Sequence, residues 1–450
     1  MPEDTVVRDT VEELRALLGE GEEDALRIFL RLIRPEDIAD WLEYLSPDER
    51  QKLLSVLDNE TAGTVLDDTT PSIRAELVEE MEPERLARIA ETMPLDEAAD
   101  LIGEMEEEEG KEVLQHISSG DKEVLRDLLE YPEDTAGGIM NPDVVALPPD
   151  ATVDDAINVL RASDENTVTA AVYVVDANRR LLGVVRLRRL VTARPDARLG
   201  DIMRTDVISV PVEADQEEAA DIVEKYDFLA VPVVDRAGRL LGAITVDDIL
   251  DVIEEEATED IYKMAGSSAE EEESESIFHV ARYRLPWLLI CLGGTQISTT
   301  VMGMFAGRVP MYDRISIFAP AILAMGGNTS LQSSTTTVRR LALDTLPRKR
   351  YPAHVLREIS VALLMGIACG IVEAGAAFLF HGDPRIGLAV GLAMSVGMSA
   401  ASLLGAAMPL ILNLVGVDPA VASGPLVSTI NDSLGLAIYF TVATLIMISM

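Results

Sequence analysis

IMNPDVVALPPDATVDDA (139–156) is answered later in the chain by IMRTDVISVPVEADQEEA (202–219), and YVVDANRRLLGVV (173–185) by VPVVDRAGRLLGAI (231–244). Each copy reads as a strand, an amphipathic helix, two alternating apolar strands joined by a D-x-x-x-x-L-x-G turn, and a further helix. One α/β unit is therefore written twice.

The doubled unit resembles a tandem pair of CBS domains, the first over 131–200 and the second over 201–255. The resemblance implies two α/β domains packed about a pseudo-two-fold axis. Many such pairs bind adenine nucleotides through a Ser/Thr-x-x-Asp element whose carboxylate holds the ribose. The second copy carries it as Thr245-Val-Asp-Asp248, which implies a nucleotide contact at Thr245 and Asp248. In the first copy the aligned stretch is Arg186-Leu-Arg-Arg189, where a cation replaces the carboxylate.

Upstream, over 1–130, helix-start signals recur: Pro35-Glu, Ser46-Pro47-Asp-Glu49, Thr70-Pro71, Pro83-Glu and Pro94-Leu. Proline at the first helical position with acids in the first turn suits the positive end of a helix dipole, and Ser46 with Glu49 has capping-box spacing. Short stacked helices, an α-helical solenoid, follow. Such a domain serves commonly as a scaffold or docking surface.

Charge divides the chain at about residue 277. Of the 78 acidic and 37 basic residues, seven acidic and eleven basic lie beyond that point, leaving 71 and 26 in residues 1–276, a net −45. A polyanion excludes a nucleic-acid partner and favours divalent cations. The run DDILDVIEEEATEDIYKM (247–264) predicts an acidic connecting helix, with its linker over 245–276. Like charges one turn apart destabilise a helix unless screened, so the run reads either as a solvated face or as a cation-responsive surface.

From 277 to 450 the sequence predicts five spans at about 285–306, 316–338, 355–380, 386–413 and 420–449. Arg282 and Arg284, and the loop from Arg339 to Arg357, place both basic clusters inside, so residues 1–276 are cytoplasmic and the C-terminus is outside. The first strongly apolar stretch begins near 285, so no signal peptide is expected. Cys291 and Cys369 have no metal-ligand spacing. Within PLVSTINDSLGLAIYF (425–440) stands Asp432, a carboxylate at membrane depth and so a site by default. Ser428 and its polar neighbours add oxygen ligands, and MGGNTSLQSSTTT (325–337) offers a matching patch with Asn328 and Gln332. Glu373 is the competing intramembrane acid, either a proton carrier or a helix–helix contact, with Gly370 and Gly375 suggesting close packing.

YPEDTAGGIM (131–140), the acidic run, GGNTSLQS (327–334) and VDPAVASGPLVSTINDSLG (417–435) together resemble the MgtE family of magnesium channels over essentially the whole chain. The resemblance implies a multidomain membrane protein: helical N-domain, CBS pair, acidic connecting helix and five-helix transmembrane domain. It implies a homodimer in the cell membrane with a pore between the subunits, Mg²⁺ as the transported and regulatory ion, and no enzymatic activity. Asp432 is then the pore acid, with Asn328, Gln332 and Ser428 beside it. Regulatory Mg²⁺ falls to Asp96 and Asp100 of the N-domain and to Asp215, Glu217 and Asp227 of the second CBS copy. On the connecting helix it falls to Asp248, Asp251, Glu256, Glu259 and Asp260. Leu331 departs from the small or polar residue that the family's motif carries there. Two rival classes are a membrane-bound enzyme regulated by CBS domains, for which no nucleophile-and-base pair, metal-binding His motif or phosphate-cradling Gly loop appears, and a non-transporting membrane Mg²⁺ sensor; a proton- or ion-coupled secondary transporter of divalent cations, with Glu373 as candidate proton carrier, is a subtler alternative.

Overall fold

The computed structural model describes residues 3–20, 23–163, 166–268, 277–343, 345–422 and 424–449. Of the expected connecting helix and linker over 245–276, residues 269–276 lie outside them. Two compact units result, residues 1–256 and 257–450.

The first unit opens with ten helices: α1 (Glu3–Glu20), α2 (Glu23–Leu30), α3 (Pro35–Leu42), α4 (Pro47–Val56), α5 (Asn59–Asp67), α6 (Pro71–Glu79), α7 (Pro83–Ala90), α8 (Leu95–Gly103), α9 (Glu107–His116) and α10 (Ser119–Leu128). Proline occupies the first turn of α3, α4, α6 and α7, where the missing N–H has no intrahelical partner to lose. Pro94, by contrast, stands just outside α8. At the start of α4 the Glu49 carboxylate accepts hydrogen bonds from the Ser46 N–H (2.9 Å) and hydroxyl (2.8 Å). α3 stacks on α5, α5 on α7 and α7 on α9, while α4 packs on α6. This is the one-dimensional stacking of a solenoid.

The repeat folds as two three-stranded sheets. The first joins β1 (Val144–Leu147), α11 (Val153–Ala162), β2 (Val168–Val175), β3 (Leu181–Arg186), α12 (Leu187–Thr192) and α13 (Leu199–Ile202). The second joins β4 (Val210–Pro211), α14 (Gln216–Tyr226), β5 (Ala230–Val234) and β6 (Leu240–Thr245), followed by α15 (Val246–Ala265). In each sheet the first strand pairs parallel with the second and the second antiparallel with the third. The two copies exchange edges: Asn141, opening the first copy, pairs with Ala243 of β6, and Arg204, opening the second, pairs with Val184 of β3. The glycine of each L-x-G turn permits the exchange. A Cβ on Gly242 would stand 2.5 Å from the Asn141 carbonyl oxygen, and one on Gly183 2.9 Å from that of Arg204. Between the sheets Val168, Tyr173, Val175, Leu240 and Ala243 form a shared core.

In the second unit the long helices are α16 (Ile277–Phe305), α18 (Ala319–Ala342), α19 (Tyr351–His381), α20 (Pro384–Val415) and α21 (Pro425–Ser449), with the short α17 (Tyr312–Ile315) between the first two. α20 is central and mostly buried, taking α18, α19 and α21 against it, while α16 packs on α21. Among the described residues four helices are long and apolar enough to cross a membrane, over Val280–Phe305, Arg348–His381, Pro384–Val415 and Val427–Ser449. α18 is not one of them, because the polar residues from Asn328 to Arg340 lower its hydropathy. Its buried face is made of small residues: a Cβ on Gly405 of α20 would stand 2.2 Å from the Ser330 carbonyl oxygen. Backbones this close leave room for hydroxyls but not for Leu or Phe. Gly370 likewise meets the Gly391 carbonyl, whereas Gly375 faces open space and takes no part in that packing.

Candidate functional site

Within the first unit, helix ends bring carboxylates together. Asp96, in the first turn of α8, is 6% exposed and accepts a hydrogen bond from the Asn141 amide at 3.1 Å. Asp248, in the first turn of α15, accepts from the Thr245 N–H (3.1 Å) and hydroxyl (2.6 Å). Burial, and next the charge of Asp248, pushes Asp96 up to about 8. Burial, then Asp67 and Asp96, takes Glu97 to about 9. Burial, then Glu133 and Glu104, takes Asp100 to about 7, and burial with Asp68 takes Asp67 to about 6. Asp248 and Asp251 are also shifted upward, chiefly by burial. Carboxylates taken from water into mutual proximity hold a proton or demand a cation.

Asp67, Asp68 and Glu97 belong to this group, and sequence reasoning missed them. A signal existed: Asp67 and Asp68 stand at the C-terminal end of α5, where the helix dipole favours cations. Among the described residues no three His, Cys, Asp or Glu side chains converge tightly enough to enclose a bare metal ion. The acidic surface offers outer contacts to a hydrated cation, the form in which Mg²⁺ tends to remain.

The other expected regulatory acids are dispersed. Asp215 caps α14, accepting from the Glu217 N–H at 2.9 Å. Asp227 ends the same helix in a left-handed conformation (φ 51°), roughly 18 Å from Asp215 and about 15 Å from Glu217 at 1.5 Å per residue, so one chain does not join it to them. Glu256 accepts from the Gln216 amide at 2.8 Å, which puts it beside the start of α14. Glu259 pairs with Lys263 at 2.5 Å, and Asp260 is shifted upward by burial and then by Asp418.

In the helix bundle Asp432 is half-buried on α21. Its position matches those of Leu436, Tyr439 and Ala443 on the inward face of that helix, all of them buried. Its neighbours are anchored: Asn431 packs against Gly326 of α18, and the Ser433 hydroxyl meets that of Ser298 at 3.0 Å. Ser428 bonds back to the Gly424 carbonyl at 3.2 Å. Asn328 and Gln332 line a cavity of about 380 Å³ with Met325, Met365, Cys369 and Met398, and Asp432 is not on its wall. Most of the clustered hydroxyls of α18 face its neighbours instead. Ser333 meets Ser402 at 2.7 Å and Thr337 meets His354 at 2.9 Å, so they act as helix–helix contacts. The outward face keeps Asn328, Leu331 (49% exposed), Gln332, Thr335 and Thr336. Glu373 is half-buried on α19, within electrostatic reach of Tyr439.

At the nucleotide element, Thr245 and Asp248 bond to each other, as above. Arg189 is exposed on α12, and the Arg186 guanidinium lies over the Phe228 ring at 5.6 Å.

Comparison with known proteins gives three family matches: MgtE intracellular N domain over 33–134, CBS domain over 136–196 and 199–255, and MgtE divalent cation transporter over 319–442. The magnesium transporter MgtE of Thermus thermophilus is 37% identical over 444 residues, covering 96% of this chain and 98% of its own. That of Enterococcus faecalis is 39% identical over 422 residues, covering 93% and 90%. A crystal structure of the cytosolic domain of the Mg²⁺ channel MgtE in complex with ATP superimposes with TM-score 0.52 at 35% identity, covering 54% of this chain and 99% of that one. The chain belongs to the MgtE family, whose members are magnesium transporters and not enzymes.

Proposed function

We propose that the chain is a Mg²⁺ channel or transporter of the cell membrane that works as a homodimer, with Asp432 as its ion-binding acid. The observation that carries this reading is Asp432 itself, half-buried on the inward face of an apolar helix and flanked by Asn431 and Ser433. A charge at membrane depth costs at least a few kcal/mol unless something answers it. A passing hydrated divalent cation does so, held loosely enough to leave. The polar outward face of α18 supports the dimer: Asn328, Gln332, Thr335 and Thr336 are poor lipid neighbours and good walls for a wet path shared with a second copy. On this reading α18 is the fifth span.

Gating follows from the acids around α8 and α15. With internal Mg²⁺ scarce, their repulsion loosens the packing of the N-domain on the second CBS copy; with Mg²⁺ plentiful, hydrated ions bridge them and the channel closes. Asp96, Asp100, Asp215, Glu217, Asp227, Asp248, Asp251, Glu256, Glu259 and Asp260 are the regulatory acids of this reading, joined by Asp67 and Glu97. An adenine nucleotide at the CBS pair is a further element of it, supported by the ATP complex of the relative. Residues 1–276 face the cytoplasm, and the C-terminus lies outside, as the basic loops suggest.

The test is Mg²⁺ flux into proteoliposomes. Asp432→Ala should abolish flux, Asp432→Asn should retain little, and both should fold and elute like the unaltered protein. Flux unchanged in the alanine variant would overturn the pore assignment. Flux that follows a pH gradient and is lost in Glu373→Gln would move the reading to coupled transport.

A further inference from the structure

The last turns of α15 end against the loop that leads into α21. Lys263 sits between two carboxylates there: its Nζ is 2.5 Å from Glu259 Oε1, one turn back on the same helix, and 2.8 Å from Asp418 Oδ2. Asp418 is held for the purpose, because its other oxygen accepts the Ala420 N–H at 2.7 Å and fixes the turn. Close by, the backbones almost touch: a Cβ on Gly424 would stand 2.4 Å from the Met264 carbonyl oxygen. Asp260 adds a third carboxylate and Arg339, at the end of α18, a second cation within electrostatic range. The cluster of Glu259, Asp260, Asp418, Lys263 and Arg339 therefore sums to −1. Without the lysine it would be −2, and Glu259 would face Asp418 with nothing between them.

We propose that Lys263 is a tethered cation that latches the end of α15 to Asp418, ahead of α21, and adds a fixed charge to what divalent ions supply along the helix. The latch biases α15 toward its docked position even when Mg²⁺ is absent. Rotation or withdrawal of α15 must break the Lys263–Asp418 pair, and the displaced loop runs directly into the helix that bears Asp432. Lys263 is thus a positioning residue for the gate. The consequence for transport rests on the gating reading above, whereas the docking itself does not.

Two measurements on the full-length protein separate the parts. The first is hydrogen exchange of the last turns of α15 with divalent ions chelated. An ion pair of this exposure is worth up to about a 5-fold change in an equilibrium, so Lys263→Gln and Asp418→Asn should each speed exchange about 3- to 5-fold. The double variant should be no faster than either single, and Lys263→Arg should match the unaltered protein. Asp418→Asn keeps the Glu259–Lys263 pair, so its effect is not one of helix propensity, and Lys263→Asp with Asp418→Lys should restore protection. Unchanged exchange in the single variants, or additive effects in the double, would overturn the latch. The second measurement is the internal Mg²⁺ concentration that halves flux in proteoliposomes. It should rise about 3- to 5-fold in Lys263→Gln with maximal flux unchanged, and a fall or no change would overturn the link to gating. Flux in the unaltered protein that ignores internal Mg²⁺ would sink the gating reading while exchange still decided the latch.

Discussion

At the residue scale the helix bundle depends on positions where nothing larger than hydrogen fits. Gly405 is the sharpest case, with the Ser330 carbonyl oxygen 2.2 Å from where its Cβ would be, and backbone cannot move aside as a flexible side chain can. Gly405→Ala must push α18 from α20 and break the Ser333–Ser402 contact, so it should destabilise the bundle by about 1–3 kcal/mol. Gly375→Ala, with nothing within 4 Å, should be neutral or slightly stabilising, since alanine is the better helix former. Thermal melting in detergent checks both. The same scale sorts the polar run of α18: each Ser and Thr there is compatible with a wet path, but the period of the helix turns Thr329, Ser330, Ser333, Ser334 and Thr337 inward and leaves Asn328, Gln332, Thr335 and Thr336 outward.

At the scale of elements, α5, α8 and α15 each contribute acids that are unremarkable on an isolated helix and frustrated in company. Asp67, Asp100, Asp96 and Glu97 are raised to about 6, 7, 8 and 9, above the usual carboxylate range near 4. A raised carboxylate binds protons more tightly packed than free, so its contribution to the packing is fully present below about pH 4 and is lost as pH rises through the packed-state value. With divalent ions chelated, hydrogen-exchange protection of α8 should therefore decline from pH 5.5 to pH 9, and millimolar Mg²⁺ should remove most of the decline. Protection that is flat with pH in the chelator, or that rises, would count against the cluster's being charge-frustrated.

For the whole molecule the prediction concerns distance. Replacing Asp248, Asp251, Glu259 and Asp260 together with their amides removes four negative charges from α15 while keeping its shape. The variant should go on conducting when internal Mg²⁺ is high, and Mg²⁺ should protect its soluble part from protease less than it protects the unaltered protein. Several weak sites that favour one state give steep closure, because each contributes only its differential affinity. Closure of the variant at the same Mg²⁺ as the unaltered protein would leave the acidic face merely solvated.

The sequence by itself determined the doubled α/β unit, the solenoid before it, the acidic helix after it and the apolar region that ends the chain. Those are matters of period, proline placement and charge, all local in the chain. It also singled out Asp432, because one carboxylate in an apolar run is conspicuous without any structure. What only tertiary structure decided is company: which acids meet, which hydroxyls are contacts and which positions must be glycine. Asp67 and Glu97 joined Asp96 and Asp248 because separate helix ends were folded onto one place, and desolvation by neighbours distant in sequence leaves no local trace. Lys263 is one base in an acidic run, and the fold alone brings Asp418, far along the chain, within 2.8 Å of it.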